Sequence, residues 1–335
     1  MDALKPMHLN PMTVGEILDR TAQIYRRKFL LFAGIGAAPS VVVLACFAAG
    51  FLMIFWAQND QTKAMVAAFG FLAVALVGLP LYAVACGFGY AALSLAAKKE
   101  FFGEAATIRG TYRETWPRGW RYLGLFALEF LIVAVGPGLV LFAGSVGLGV
   151  VIAATGGSAD DAGSMAGFAV LAFFALFGVY AVWMLPRLCL AFPVCVAEGA
   201  GVIQSVKRGW RLSVGTRGRI LLLFLLGTVC GWILSWLVMV PILIAVELIP
   251  GINSPQHAQL LGSIVFFGMY GAGFAVQALV RPVYGIAVVL FYYDQRIRKE
   301  GYDIEWMMQR AGLTAETMPL GQSLPAGEIF PEAQA

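Results

Sequence analysis

The chain has 335 residues, of which 60% are apolar and 13% are charged, and its formal net charge is +4. Soluble globular proteins are usually about 45–50% apolar and about 25% charged. One core cannot hide such an excess of apolar side chains, because the surface around it would lack polar cover. The composition therefore excludes a soluble enzyme and a disordered chain, and it predicts an integral membrane protein.

Six stretches are long and apolar enough to cross a bilayer, which takes about 20 mostly apolar residues in a helix. They are 29–56, 64–97, 122–153, 166–197, 220–249 and 260–293. Each stretch far exceeds the roughly 10 residues of a membrane β-strand, and none alternates in polarity. The predicted fold class is all-α, a polytopic membrane protein with six transmembrane helices.

The polar segments around these spans complete the predicted domain organisation. We expect residues 1–28 to form a cytoplasmic N-terminal segment with an interfacial amphipathic helix, and residues 29–293 to form the transmembrane domain. Residues 294–312 are expected to form a cytoplasmic C-terminal helix, because they combine acidic residues at the start with a basic residue and a glycine at the end. Residues 313–335 are rich in proline and glycine and are expected to be disordered.

Positive charge indicates the orientation of the spans. All but three of the 23 lysines and arginines lie in the N-terminal segment, the second and fourth connections and the C-terminal segment; the exceptions are Lys63, Arg187 and Arg281. Cytoplasmic loops retain lysine and arginine during insertion. We therefore expect a multi-pass protein of the inner (cytoplasmic) membrane with both termini in the cytoplasm.

The basic segments also suggest a threefold repeat of one amphipathic helix followed by two crossings. Their candidate membrane-surface residues are Arg20, Arg26, Arg27, Arg113, Lys207, Arg208 and Arg211. A proline recurs within each even-numbered span, at Pro80, Pro186 and Pro282. A basic rim attracts anionic lipid headgroups, at about 1 kcal/mol per cation. The expected partners are therefore membrane lipids and not nucleic acid, although the rim also fits a topology signal alone.

Three ionisable residues inside spans are the candidate site. Arg187 and Arg281 each follow or precede a proline and lie roughly 16–20 Å from the cytoplasmic boundary, and Glu129 lies roughly 12 Å deep. Such residues are costly in a bilayer, so they require partners. The two guanidiniums could converge on an anion such as a lipid phosphate. Alternatively, Glu129 could pair with Arg187, or the arginines could contact another subunit.

The residues that commonly perform catalysis or bind metals are scarce. The chain has two histidines, His8 and His257, and its five cysteines all fall within predicted spans. We therefore expect no catalytic residues, no metal site and no cofactor, and we expect that the protein is not an enzyme.

Three segments resemble one protein family. Residues 186–223 read PRLCLAFPVCVAEGAGVIQSVKRGWRLSVGTRGRILLL, residues 291–312 read FYYDQRIRKEGYDIEWMMQRAG and residues 15–29 read GEILDRTAQIYRRKF. Together they resemble the bacterial six-span proteins of the glycerophosphoryl diester phosphodiesterase membrane-domain family. In some relatives this region is fused to a catalytic barrel of about 250 residues. The chain after Tyr293 is far shorter, so the resemblance implies the membrane fold without that activity.

Two classes of function follow from these patterns. The first is a non-catalytic scaffold or accessory subunit, with a partner in a bacterial envelope complex. The second is a transporter or lipid-handling protein that binds an anionic group near mid-bilayer through Arg187 and Arg281. A cavity reaching both arginines would favour the second class, and a dry core with Glu129 beside Arg187 would favour the first.

Overall fold

The computed structural model describes residues 10–57, 61–155, 159–248 and 258–310. Every regular element in these ranges is helical. The α-helices are α1 Val14–Arg27, α2 Phe29–Trp56, α3 Gln61–Phe101, α4 Ile108–Thr115, α5 Gly119–Phe130, α6 Gly136–Thr155, α7 Ala159–Leu188, α8 Ala191–Glu198, α9 Val202–Ser213, α10 Arg217–Glu247, α11 Ala258–Glu300 and α12 Tyr302–Arg310. The predicted disordered tail, 313–335, lies outside the described residues.

Six stretches of the described chain are long and apolar enough to cross a membrane. They are Phe29–Met53, Met65–Phe101, Ile108–Val140, Leu171–Glu198, Arg217–Ala245 and Val265–Glu300. The prediction of an all-helical chain with six candidate spans is thus confirmed. The helix predicted for the last span runs on past Tyr293 and ends at Glu300, so the boundary expected at residue 294 lies inside a helix.

The third predicted span is not one regular helix. A π-helical turn, Leu131–Val135, separates α5 from α6. Pro137 follows this turn and has no amide hydrogen to donate to the carbonyl one turn earlier. The hydroxyl of Tyr180 donates a hydrogen bond of 2.9 Å to the Ile132 carbonyl within the turn. A carbonyl that leaves the regular α-helical pattern is thereby satisfied by a neighbouring helix.

The fourth predicted span is broken as well. Helix α7 ends at Leu188, and α8 begins at Ala191. Pro193 lies in the first turn of α8, and it cannot donate a hydrogen bond to the Cys189 carbonyl as a continuous helix would require. Two prolines within eight residues, Pro186 and Pro193, explain the interruption.

The best-packed part of the bundle lies where the short helices meet the ends of the long ones. Fully buried side chains there include Ile17 of α1, Leu125 of α5, Leu190 and Ile220. By contrast, the portions of α3, α6, α7 and α10 farther from these short helices expose many large apolar side chains. Apolar exposure over whole helical faces is expected of surfaces that contact lipid.

A close approach of α2 and α11 occurs at a proline kink. Pro282 cannot donate to the Ala278 carbonyl, and Gly36 of α2 packs against both residues. A Cβ atom added to Gly36 would lie 2.6 Å from the Ala278 oxygen and 2.6 Å from the Pro282 ring. Glycine at this position therefore allows the two backbones to meet beside the kink.

The chain divides into two compact units, Met12–Tyr292 and a second one of Met1–Pro11 with Tyr293–Ala335. In the second unit, Arg296 joins the end of α11 to α12. Its guanidinium pairs with Glu300 at 3.0 Å and Glu305 at 3.3 Å, and lies 4.1 Å from the ring centroid of Tyr302. Within the predicted C-terminal segment, 294–312, a separate helix begins at Tyr302, and residues 311 and 312 lie outside the described ranges.

Candidate functional site

A cavity of about 540 Å³ lies between α3, α5, α7, α8, α10 and α11. Ligand pockets in proteins commonly measure about 300–1,000 Å³. Much of its wall is aromatic, and the rings are those of Tyr90, Phe126, Phe130, Phe192, Phe224 and Tyr284. The volume and the wall fit a small molecule or the head region of a larger amphiphile.

Glu129 and Arg281 both line this cavity. Glu129 is on α5 and Arg281 is on α11, so opposite charges come from helices far apart in the sequence. The Oε1 atom of Glu129 and the Nη1 atom of Arg281 are buried, and neither has a hydrogen-bond partner in the described structure. Buried charges without partners are costly, so the arrangement suits a bound polar group.

The π-helical turn after α5 positions Glu129. This carboxylate lies two residues before the turn, and Val133 and Ala134 of the turn line the same cavity. A π-helical turn inserts an extra residue into a helix and redirects the side chains around it, and such turns are frequent at functional sites. The hydrogen bond from Tyr180 to the turn therefore supports the segment that presents Glu129.

Arg281 is positioned by the kinked part of α11. It precedes Pro282, and its guanidinium interacts electrostatically with Tyr82, Cys86 and Tyr90 of α3. Gln277 lies one turn earlier on α11 and also lines the cavity. The cavity thus combines a guanidinium, a carboxylate and an amide within a largely apolar wall.

The structure does not bring Arg187 into this cavity, so the two arginines do not converge. Arg187 instead lines a separate groove together with Arg217. Its guanidinium lies 3.7 Å from the ring centroid of Trp183 and donates a hydrogen bond to the Trp183 carbonyl. The expected ion pair with Glu129 is absent from the described structure, because the side chain of Arg187 folds back along α7 onto that tryptophan.

The candidate membrane-surface residues occupy two kinds of position. Arg20 is half-buried, and most of the others are exposed, namely Arg26, Arg27, Arg113, Lys207 and Arg211. Arg208 differs, because it forms an ion pair with Glu198 at the end of α8. Its role in the fold is therefore internal, and it is not simply part of a solvated basic rim.

Several residues of these two sites were missed in the sequence analysis. In the cavity they are Gln277, Ser94 and the tyrosines, and in the groove they are Arg217 and Trp183, with Trp210 beside the two arginines. One available signal was helical spacing, since Gln277 and Trp183 each lie four residues before a candidate arginine. Arg217 lies at the start of a helix and gave no signal apart from its charge. Within the described ranges, no group of three or more metal-ligating side chains is placed to hold a metal ion.

Comparison with known proteins assigns the chain to a family but does not indicate an activity. No curated protein and no solved structure matches the chain. A family described as a domain of unknown function, DUF7847, matches residues 12–295. That range contains every residue lining the cavity and the groove, and it excludes α12. The chain therefore belongs to the DUF7847 family of domains of unknown function.

Proposed function

We propose that this protein is a non-catalytic, lipid-handling membrane protein whose cavity binds the head of a zwitterionic amphiphile. The observation that carries the proposal is the pair of opposite charges, Glu129 and Arg281, in one cavity with a buried atom of each unpartnered. A zwitterion supplies one complementary charge to each residue. Its binding therefore satisfies both groups without adding net charge to the interior of a membrane.

The chemistry of the cavity favours a phosphate and an amine. Guanidinium binds phosphate through two parallel hydrogen bonds, which assigns the phosphate to Arg281. The carboxylate of Glu129 accepts hydrogen bonds from an ammonium group, and the surrounding aromatic rings attract a cation further. A phospholipid with a primary amine, such as phosphatidylethanolamine, has both groups beside apolar chains.

Native mass spectrometry tests the proposal on the full chain. The protein is exposed to equal amounts of phosphatidylethanolamine and phosphatidylglycerol, and the bound lipids are counted. All proteins in this test carry Arg187→Gln, so that the separate groove beside Arg187 does not contribute, and with the cavity unaltered we expect phosphatidylethanolamine to be retained in preference. Arg281→Gln should lower its retention about tenfold, because a charge-assisted hydrogen-bonded pair is lost.

Glu129→Gln tests the amine contact separately from the phosphate contact, because it removes only the proposed partner of the amine. We expect this variant to lose the preference for phosphatidylethanolamine and to retain phosphatidylglycerol at least as well. Lys63→Gln, which alters an exposed cation of α3 outside the basic rim, is the matched control and should leave lipid retention unchanged. If all four folded proteins retain the two lipids equally, the cavity does not select a zwitterion and the proposal fails.

We further propose the orientation and membrane expected from charge, with both termini cytoplasmic in the inner membrane. The concentration of cations in alternate connections supports it. The repeat of three amphipathic units is supported by three short helices, α1, α4 and α9, that precede long apolar ones. Trp116 and Trp120, which are 72% and 85% exposed, suit a membrane interface beside α4. Fusing a reporter that is active only in the cytoplasm to each terminus tests the orientation.

The resemblance to the phosphodiesterase membrane-domain family is retained as a proposal of shared architecture. Three residues that carry it have structural uses here, since Arg208 pairs with Glu198 and Gly199 has a φ of 64°. The scaffold hypothesis, with its partner in an envelope complex, stays a prediction of the sequence. The unpartnered buried atoms in the cavity, Oε1 of Glu129 and Nη1 of Arg281, favour ligand binding over that role.

A further inference from the structure

A second candidate site lies on the outer face of the bundle, between α7 and α10. It is a groove of about 600 Å³ that shares no lining residue with the cavity. Its apolar wall includes Phe174, Val179 and Val182, whose exposed fractions are 64%, 69% and 56%. Exposed apolar side chains on a candidate span face lipid when the protein is in a membrane. The groove is therefore accessible from the bilayer.

Two arginines meet at one end of this groove. Arg187, at the end of α7, is only 7% exposed, and Arg217 begins α10. Their guanidinium carbons lie 5.3 Å and 6.0 Å from the ring centroid of Trp210 on α9. The same Arg187 also stacks on Trp183. Two tryptophans thus hold the guanidiniums at the border between the short helices and the apolar groove.

Neither arginine is neutralised within the described structure. The Nε atoms of Arg187 and Arg217 are buried and have no hydrogen-bond partner, and no carboxylate lies within ion-pair distance of either group. The two positive charges also repel each other. Because like charges near a membrane interior are costly, an anion that contacts both would relieve the repulsion and the loss of hydration together.

We propose that this groove is a binding site for an anionic glycerophospholipid from the adjacent leaflet. The phosphate lies against Arg187 and Arg217, and an acyl chain follows the apolar wall past Val182 toward Phe174. Guanidinium suits this contact because its planar donors match phosphate oxygens. The apolar wall identifies the occupant as a lipid, since a free anion would leave that wall without a partner.

This site differs from the cavity in its selectivity as well as its position. The cavity has both charges, whereas the groove has two cations and no acidic side chain in its lining. We therefore expect the groove to prefer a lipid with net negative charge, such as phosphatidylglycerol, over zwitterionic phosphatidylcholine. Loss of lipid binding at one site should leave binding at the other unchanged. Arg281→Gln alters only the cavity, and Arg187→Gln alters only the groove.

Lipid titration of the full-length protein in detergent, read by native mass spectrometry, tests the inference. The probes are phosphatidylglycerol, phosphatidylcholine and inorganic phosphate. We expect Arg187→Gln and Arg217→Gln each to weaken phosphatidylglycerol binding about tenfold, through loss of a charge-assisted contact. Lys63→Gln is the matched control and should bind normally, because Lys63 is an exposed cation that lies over Trp56 and is outside the basic rim.

A second variant separates lipid from free anion and does not depend on the buried arginine. Val179→Trp fills the apolar wall at an exposed position, so the fold should tolerate it. We expect it to weaken phosphatidylglycerol binding while both arginines remain. Phosphatidylglycerol binding as tight as that of the unaltered protein, in Val179→Trp and in the folded arginine variants alike, would overturn the proposal. Phosphate binding as tight as lipid binding would overturn it too, by showing an ion site only.

Discussion

Tyr292 of α11 donates a hydrogen bond of 2.7 Å to Oε1 of Glu198, at the end of α8. The other carboxylate oxygen of Glu198 pairs with Arg208 of α9. One half-buried carboxylate thus joins the consecutive helices α8 and α9 to α11, which is distant in the sequence. The interrupted fourth span ends at this junction, so α8 is held in place by polar contacts as well as by packing.

Replacing Glu198 should destabilise the protein. Glu198→Gln removes the charge that both partners contact, and we expect the free energy of unfolding to fall by about 1–3 kcal/mol. Thermal unfolding in detergent measures the change. Glu114→Gln is the control, because Glu114 pairs with Lys99 but is 49% exposed, and such pairs contribute about 0–1 kcal/mol. Equal midpoints for the two variants would contradict a structural role for Glu198.

Gly36→Ala should be destabilising because its Cβ atom would lie 2.6 Å from the Ala278 carbonyl oxygen. Backbone atoms cannot move aside as a flexible side chain can, so we expect a loss of about 1–3 kcal/mol. Gly268→Ala on α11 is the matched control, since nothing lies within 4 Å of its added Cβ. Alanine favours helix by about 1 kcal/mol, so the control should be neutral or slightly stabilising. Thermal unfolding of both variants tests this, and a stabilised Gly36→Ala would exclude the close approach.

Tyr180→Phe should weaken the π-helical turn, because it removes the donor to the Ile132 carbonyl. We expect a loss of about 1 kcal/mol in unfolding free energy. The variant should also retain less phosphatidylethanolamine, because the turn positions Glu129 at the cavity. Tyr270→Phe serves as the control, since Tyr270 is 46% exposed and its hydroxyl makes no hydrogen bond within the described structure. Unchanged stability and lipid retention in Tyr180→Phe would show that the turn stands without this bond.

Arg296→Gln should loosen α12. The guanidinium pairs with Glu305 of α12 and stacks on Tyr302. Glutamine is uncharged, so it cannot replace either contact. We expect amide hydrogens of α12 to exchange several-fold faster, while those of α10 keep their rates. Arg298→Gln is the comparison, because Arg298 pairs with Asp294 inside the same helix. Similar exchange from α12 in both variants would show that Arg296 does not link the two helices.

Much of the architecture was predictable from local sequence. The span predicted over 29–56 coincides with α2, because an unbroken apolar run of that length has one stable form in a bilayer. The capping box at Thr13 and Glu16 is present at the start of α1, since such a cap depends on residues three apart. The spans predicted over 122–153 and 166–197 overlap candidate spans of the structure, but local sequence did not locate their interruptions. Their interruptions depend on where freed carbonyls find donors, such as the Tyr180 hydroxyl.

Hydropathy and charge along the chain are enough to predict an all-helical protein with six candidate spans and a few costly charges inside them. Both properties belong to individual residues, so they can be evaluated without knowing which segments pack together. Which charges share a site depends on the folded arrangement of the helices. It brought Glu129 to Arg281 in one cavity and Arg187 to Arg217 in another groove. Those neighbours depend on helix rotation, kinks and the π-helical turn, which are set by packing between segments distant in the chain.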